Sequence, residues 1–510
     1  MERDPDHPLF QRLAGVATGV LLFAILVIWS VSTPRYAGPD EPAHVLRAAS
    51  VATGVLIGDR VPELDPGYRR VEAAAALTTG DPTCFRHDDD IPATCAQAAP
   101  DASGIAAAAS SAGTYPPYYY ALVGMPVRLL GDTADVGWYR VVASGWCAVV
   151  LAMAIARSRR VAGVLLVACL TPASWFLFGV VNPNSLEIAL AVLAWVGIER
   201  IRTSRVVSMA DITWVAGPAA VAILIRPVAA LGWLAMAGAA LLIDLTGTSD
   251  MTVGAPRRRL RLLFVIPPVA AVIASVAWNI WADVDISDVR TAEDVSTGTA
   301  IRTAVEQSTE TWREMVGSLG WLEYSAPWFA HVVWWATLAL CAWGVATAGV
   351  AAGGATLRRA WLWVLAVTVG GPILFEVVFA GSVGFIWQGR YSIASAIGLT
   401  IIGFSVGRDR IGPTGRIVVA AAAVTAQVAT LWIVLQRYTV GASGSWWFRE
   451  ARWHPAVAPI LLVLLDAVLM VGLVVLGAFV DRTQAEHDRD WPSTSAGGDL
   501  GNLAAHDVQR

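Results

Sequence analysis

Lysine is absent from this chain of 510 residues, so all 36 basic residues are arginine. Charge of either sign is scarce, at 15% of residues, where a soluble domain carries about 25%. That deficit excludes an ordinary soluble enzyme. No internal repeat is visible, whereas many transporters are built on inverted repeats. Basic residues occur in short clusters between apolar blocks, which excludes a nucleic-acid binder. Arginine without lysine fits the codon bias of a GC-rich genome more simply than it fits a function. What is present demands burial: 56% of residues are hydrophobic and 23 are Trp, which excludes a disordered or collagen-like chain.

Apolar blocks fall at 11–32, 138–156, 161–181, 186–199, 212–225, 228–246, 262–281, 328–350, 360–380, 391–407, 416–435 and 455–480. A helical span needs about 20 apolar residues, and a membrane β-barrel would alternate instead. The expected fold class is all-α, a polytopic membrane protein of about twelve helices. Blocks 186–199 and 212–225 are short. Residues 11–32 lack a cleavage site and read as a retained first span.

Arginine clusters set the orientation. Arg157, Arg159 and Arg160, then Arg200, Arg202 and Arg205, then Arg257, Arg258, Arg259 and Arg261 lie between blocks, as do Arg358, Arg359, Arg408, Arg410 and Arg416. Placing them all inside puts both termini in the cytoplasm. Segments 33–137, 282–327, 381–390 and 436–454 are then extracytoplasmic. Tyr118–Leu130 must be a juxtamembrane or re-entrant helix in this arrangement, because a thirteenth span would invert every later loop. Residues 1–480 form one integral membrane domain, and 481–510 read as a disordered cytoplasmic tail. The expected location is the cell membrane.

The first outer loop carries the densest chemistry. It opens Pro39-Asp40-Glu41-Pro42-Ala43-His44. A helix starting near Pro42 would place both carboxylates at its N-terminus, where the dipole favours an anion. A helix cap with a solvated acidic turn explains the pair equally well. Tyr115, Pro117 and Tyr118 belong to an aromatic run that suits the membrane interface, or a platform for a sugar or prenyl chain. Arg140 opens the second block, where it can snorkel or hold a phosphate. Cys84 and Cys95 lie in the same loop and are expected to form a disulfide, worth roughly 3 kcal/mol. Cys147, Cys169 and Cys341 sit in apolar blocks as small core residues.

Further polar points lie near the same face. Asn182-Pro183-Asn184-Ser185 reads as a tight turn with Ser185 as cap, and Glu187 one turn later needs a partner. Arg226 precedes Pro227, and Gln388-Gly389-Arg390-Tyr391 precedes block 391–407. Each Arg needs an anion or water, either a lipid phosphate or the phosphate of a lipid-linked donor.

Together these motifs resemble the membrane proteins grouped as domain of unknown function 2142. That family in turn resembles the C-type glycosyltransferases, which include protein mannosyltransferases and aminoarabinose transferases. The resemblance implies a polytopic inverting enzyme with a large first outer loop containing juxtamembrane helices. Its donor would be a sugar on a polyprenyl phosphate or diphosphate, and its acceptor a glycan or lipid of the cell envelope. It implies Asp40, Glu41 and His44 at the reaction centre, with Tyr115, Pro117, Tyr118, Arg140, Asn182, Asn184, Glu187, Arg226, Gln388, Arg390 and Tyr391 around the substrate. No cofactor is required by this expectation, though a divalent Mg or Mn bridging an acidic residue to phosphate is compatible with it. Membrane lipids would be the other partners. The competing expectation is a transporter or flippase of lipid-linked envelope precursors.

Overall fold

A computed structural model describes residues 7–64, 67–78, 84–96, 102, 104–158, 162–204, 207–243, 257–284, 295–349 and 354–490. The chain is a helical bundle. Helix α1 (His7–Val31) leads to α2 (Glu41–Ala52), α3 (Ala75–Thr78) and α4 (Pro117–Arg128) in the first large loop. The bundle continues through α5 (Val136–Arg157), α6 (Ala162–Cys169), α7 (Pro172–Phe178), α8 (Pro183–Thr203), α9 (Met209–Ile225) and α10 (Ala230–Ile243). It is completed by α11 (Arg257–Trp281), α12 (Thr297–Gly317), α13 (Trp328–Ala346), α14 (Gly354–Val383), α15 (Ile393–Val440) and α16 (Pro459–Asp490).

Among the described residues seven helices are long and apolar enough to cross a membrane, or eight if one bent pair is a single span. They cover 13–31, 136–157, 261–281, 328–346, 354–383, 410–440 and 459–479. The apolar blocks at 212–225, 228–246 and 391–407 form shorter helices, so twelve full-length spans are not seen. Blocks 161–181 and 186–199 are reshaped: α7 and α8 meet at 119° across the break at 179–182. Helix α15 is likewise two helices, joined at Gly412, whose φ of 65° breaks the helical path. Helix α4, with 12 residues, is about 18 Å long and too short for a bilayer core of about 30 Å, in keeping with a juxtamembrane element. Helix α16 extends to Asp490, into the segment expected to be tail; residues 491–510 lie outside the described residues.

The first loop also holds an antiparallel pair, β1 (Arg69–Ala74) with β2 (Ile105–Ser110), in the register Arg69 opposite Ser110. A second pair, β3 (Ser318–Leu319) and β4 (Tyr324–Ser325), follows α12. Cys84 and Cys95 are bridged, with Cα atoms 6.3 Å apart. Their loop is clamped by Arg437, at the end of α15, which donates to the carbonyls of Phe85, Asp88 and Ile91. The aspartate run inside it is not simply solvated, since Asp90 accepts the Ser443 N–H at 2.8 Å.

Local sequence explains the breaks that matter. Pro183 opens α8 after Asn182, whose side-chain oxygen accepts the Asn184 N–H at 3.0 Å; proline fits the first helical turn because its missing N–H is unpaired there anyway. Asn182, not Ser185, is therefore the cap; Ser185 donates its hydroxyl back to the Asn182 carbonyl. Gly38 lies where a Cβ would come within 2.8 Å of Val180 Cβ. The turn leading to α2 thus nests directly on the α7–α8 break.

Candidate active site

Helix α2 starts at Glu41, and its N-cap residue is Asp40. An N-cap aspartate normally accepts an amide N–H with its side chain. Asp40 does not: its backbone is left-handed, at φ 57° and ψ 12°, with no side-chain cap bond. This region is open to Asp and Asn more than to most residues, and a strained backbone of this kind clusters at functional sites. The carboxylate turns to Arg390, whose Nη2 donates to Asp40 Oδ2 at 2.7 Å. The Asp40 side chain is 48% exposed and that of Arg390 only 8%.

Arg390 sits in the one-turn helix Gly389–Tyr391. Its Nη2 also donates to the Tyr391 hydroxyl at 3.3 Å, while Nε and Nη1 are buried without a hydrogen-bond partner among the described residues. A buried guanidinium with two idle donors is costly unless an anion meets them. Arg226 lies across Tyr391, its Cζ 4.5 Å from the ring centroid, against 5.2 Å for Arg390. Arg226 pairs with Glu187 at 2.9 Å, which supplies the partner that a carboxylate at the top of α8 needs. Asn184 also donates to Glu187, at 3.3 Å.

His44, one turn into α2, is buried and shares a 2.9 Å hydrogen bond between Nδ1 and the Tyr120 hydroxyl. Its ring centroid is 6.1 Å from that of Tyr115. Burial pushes the imidazole pKa down to about 3; Asp40 opposes the shift, while Arg390 and Arg226 reinforce it. His44 is therefore neutral at physiological pH. Arg47 continues the same helix face, donating from Nη2 to the Tyr115 carbonyl at 2.7 Å with Nε and Nη1 unpartnered. Tyr115 and Tyr118 are 43% and 42% exposed, and Pro117 lies in the first turn of α4.

Three of the expected site residues are engaged within the protein. Glu41 is fully buried and meets no open space. Its Oε1 accepts Arg140 Nε at 2.7 Å and Val181 N–H at 2.9 Å, and its Oε2 accepts Arg140 Nη2 at 2.6 Å. Arg140, expected at a phosphate, instead donates to Glu41 and to the carbonyls of Ser30, Thr33 and Pro34. The pair ties the end of α1 to α5. Asn182 is spent similarly, its Nδ2 donating to the Pro39 carbonyl at 2.9 Å. These buried residues are held by protein partners and build the wall behind Asp40.

A divalent ion caged by protein alone would need several convergent carboxylates, whereas Mg is commonly held by one or two carboxylates together with substrate phosphate. The oxygens of Glu41 are taken, Glu187 is held by Arg226, and only Asp40 remains half exposed. Among the described residues no three His, Cys, Asp or Glu side chains gather as a metal site. Asp40 could share a divalent ion with a bound phosphate, and the residue roles proposed for this site do not depend on one.

Arg47 and Glu314 also support this face, as does Tyr120 of the aromatic run. Their only sequence signal was proximity: Tyr120 lies within the aromatic run, and Arg47 lies one helical turn beyond His44.

Two solved structures are similar over most of the chain. ArnT from Cupriavidus metallidurans bound to undecaprenyl phosphate is 15% identical, with 92% of this chain and 78% of that one covered and a TM-score of 0.42. The apo state of the same protein gives 15% identity, 92% and 76% coverage, and 0.44. No curated protein matches the chain. Residues 23–399 match the family model described as "Predicted membrane protein (DUF2142)", and the chain belongs to that family of membrane proteins.

Proposed function

We propose that the chain is an inverting glycosyltransferase that takes sugar from a polyprenyl-phosphate carrier at the extracytoplasmic membrane face, with both termini in the cytoplasm. The observation that carries this reading is the Asp40–Arg390 pair: a half-exposed carboxylate bonded to a buried guanidinium with two nitrogens unpartnered among the described residues. One group accepts a proton and the other accepts an anion. A displacement at a phosphorylated anomeric carbon needs both, with the substrate entering between the two side chains.

In the proposed reaction an acceptor hydroxyl attacks C1 of the sugar from the face opposite the phosphate. The new C–O bond forms as the C1–O bond to phosphate breaks, and the bonding pair leaves on the phosphate. Asp40 takes the hydroxyl proton, a general-base contribution of about 10²–10⁴-fold. Arg390, with Arg226 across Tyr391, stabilises the charge that gathers on the leaving phosphate. Their planar forks suit phosphate geometry. Neutral His44 and the exposed Tyr115 and Tyr118 form the aromatic side on which the sugar rests. The acceptor is a cell-envelope glycan or glycolipid.

The test is release of polyprenyl phosphate from a polyprenyl-phosphate-linked sugar in membranes bearing the protein. Release that depends on acceptor and is lost in a folded Asp40→Asn variant supports the reading. Full retention of transfer in that variant removes Asp40 from the mechanism. Solute or lipid flux in proteoliposomes without release would instead favour the transporter class.

A further inference from the structure

The backbone just ahead of Arg390 is held by acidic side chains from two different helices. Glu376 of α14 is buried. Its Oε1 accepts the Ile386 N–H at 3.0 Å and also the Trp387 N–H. Glu314 of α12 accepts the Gly389 N–H through Oε2 at 2.5 Å. Among the described residues neither carboxylate has a salt-bridge partner. An anion removed from water without a cation must be met by hydrogen-bond donors, and charge-assisted bonds to amides are stronger than neutral ones. Here Glu376 Oε1 and Glu314 Oε2 are met by amides of one four-residue stretch, while Glu376 Oε2 is buried without a hydrogen-bond partner among the described residues. Gly389 completes the contact. A Cβ there would lie 2.4 Å from the Thr311 carbonyl oxygen and 2.5 Å from Glu314 Cβ, so the loop rests on α12 backbone to backbone.

We propose that Glu314 and Glu376 are positioning residues that clamp the Ile386–Gly389 amides and thereby set the guanidinium of Arg390 at the anion site. The inference rests on Arg390 holding the donor phosphate. Neither glutamate touches substrate. Each fixes a main-chain donor within three or four residues of Arg390 Cα, and the two anchor the loop to α12 and α14 at once. Trp387 adds a third tie, its indole N–H donating to the Ser392 hydroxyl at 3.0 Å. A guanidinium that must meet a small anion with two fixed N–H groups gains from such anchoring, because binding and catalytic geometry tolerate errors of only about 0.5 Å.

The test uses the full chain in detergent and farnesyl phosphate as a soluble polyprenyl monophosphate. Affinity is followed by tryptophan fluorescence, because the Trp387 ring lies 5.7 Å from that of Tyr391. The melting temperature of each variant is recorded alongside. Glu314→Leu is expected to weaken binding about tenfold, as a misplaced binding group does. Glu314→Gln, whose amide oxygen still accepts the Gly389 N–H, is expected to stay within about threefold of wild type. Gly389→Ala, which pushes the loop off α12, is expected to match Glu314→Leu and decides the matter if the latter does not fold. Wild-type affinity in well-folded Glu314→Leu or Gly389→Ala, with Arg390→Ala unable to bind, overturns the clamp alone. Equal loss in the Gln and Leu variants also overturns it. Wild-type affinity in Arg390→Ala overturns the anion role of Arg390 itself.

Discussion

Asp40 Oδ2 and Arg390 Nη2 lie 2.7 Å apart although 350 positions separate them in the chain. One residue stands at the N-cap position of α2 in the first loop and the other lies three residues before α15. Their meeting joins the two ends of the family-matched region 23–399 in one site. Arg390 has bonding capacity left over, through two buried nitrogens, Nε and Nη1, that have no hydrogen-bond partner among the described residues.

That spare capacity predicts what substitution does. Arg390→Lys keeps the charge but loses the fork, and should weaken polyprenyl-phosphate binding at least about tenfold, the worth of one charge-assisted hydrogen bond. Arg226→Ala should weaken it less, because Arg226 already shares its charge with Glu187 at 2.9 Å. Titration of each purified variant with the lipid checks the order. Equal, wild-type affinity in both would contradict it.

Glu41 and Arg140 should behave quite differently from Asp40. Both are buried, at 0% and 4% side-chain exposure, and removing one partner leaves the other charge stranded. Glu41→Gln or Arg140→Ala should cost about 3–5 kcal/mol of stability. Thermal unfolding in detergent would show a large drop for either variant, and little change for Asp40→Asn.

The pH dependence of stability follows from His44. Its folded pKa is about 3 against an ordinary 6.5, so the unfolded chain binds a proton that the folded chain refuses. The contribution is fully present above pH 6.5 and is lost progressively as pH falls toward 3. Glu323 has the opposite sign. Burial lifts its carboxyl to about 7 from 4.5, against the pull of Arg437, so its contribution is present below 4.5 and lost as pH rises through 7. The two separate in difference curves. Wild type minus His44→Gln should show melting temperature falling only on the acid side.

The Cys84–Cys95 bridge closes a separation of 11 residues. Replacing both with Ser should cost about 3 kcal/mol on the chain-entropy model. The loss should reach the end of α15, because Arg437 draws three carbonyl acceptors from this loop. Hydrogen exchange at 434–443 in the double variant would report it, and unchanged protection there would contradict the coupling.

Much of this was legible in the residues and some of it was not. Apolar blocks located the helices, because hydrophobic runs reflect burial in lipid or core directly. The short α4 followed from charge bookkeeping across loops. The broken α7–α8 pair did not, because Gly179 to Asn182 look like an ordinary turn, and only the packed structure shows Val181 N–H reaching Glu41 at 2.9 Å. Asp40 and Arg390 were identifiable as polar groups at the ends of apolar blocks. The pairing of Glu41 with Arg140 was not legible for a physical reason: sequence shows that a charge needs a partner but not which one it finds. The amide clamp at Glu314 and Glu376 was hidden, since its donors are backbone N–H groups, which no residue type announces.

The most direct measurement is a structure of the full chain in lipid nanodiscs with undecaprenyl phosphate. The account predicts the phosphate within hydrogen-bond distance of Arg390 Nε or Nη1, beside Asp40 and against Tyr391. A phosphate seated elsewhere, with Arg390 still bonded only to Asp40 and Tyr391, would contradict it.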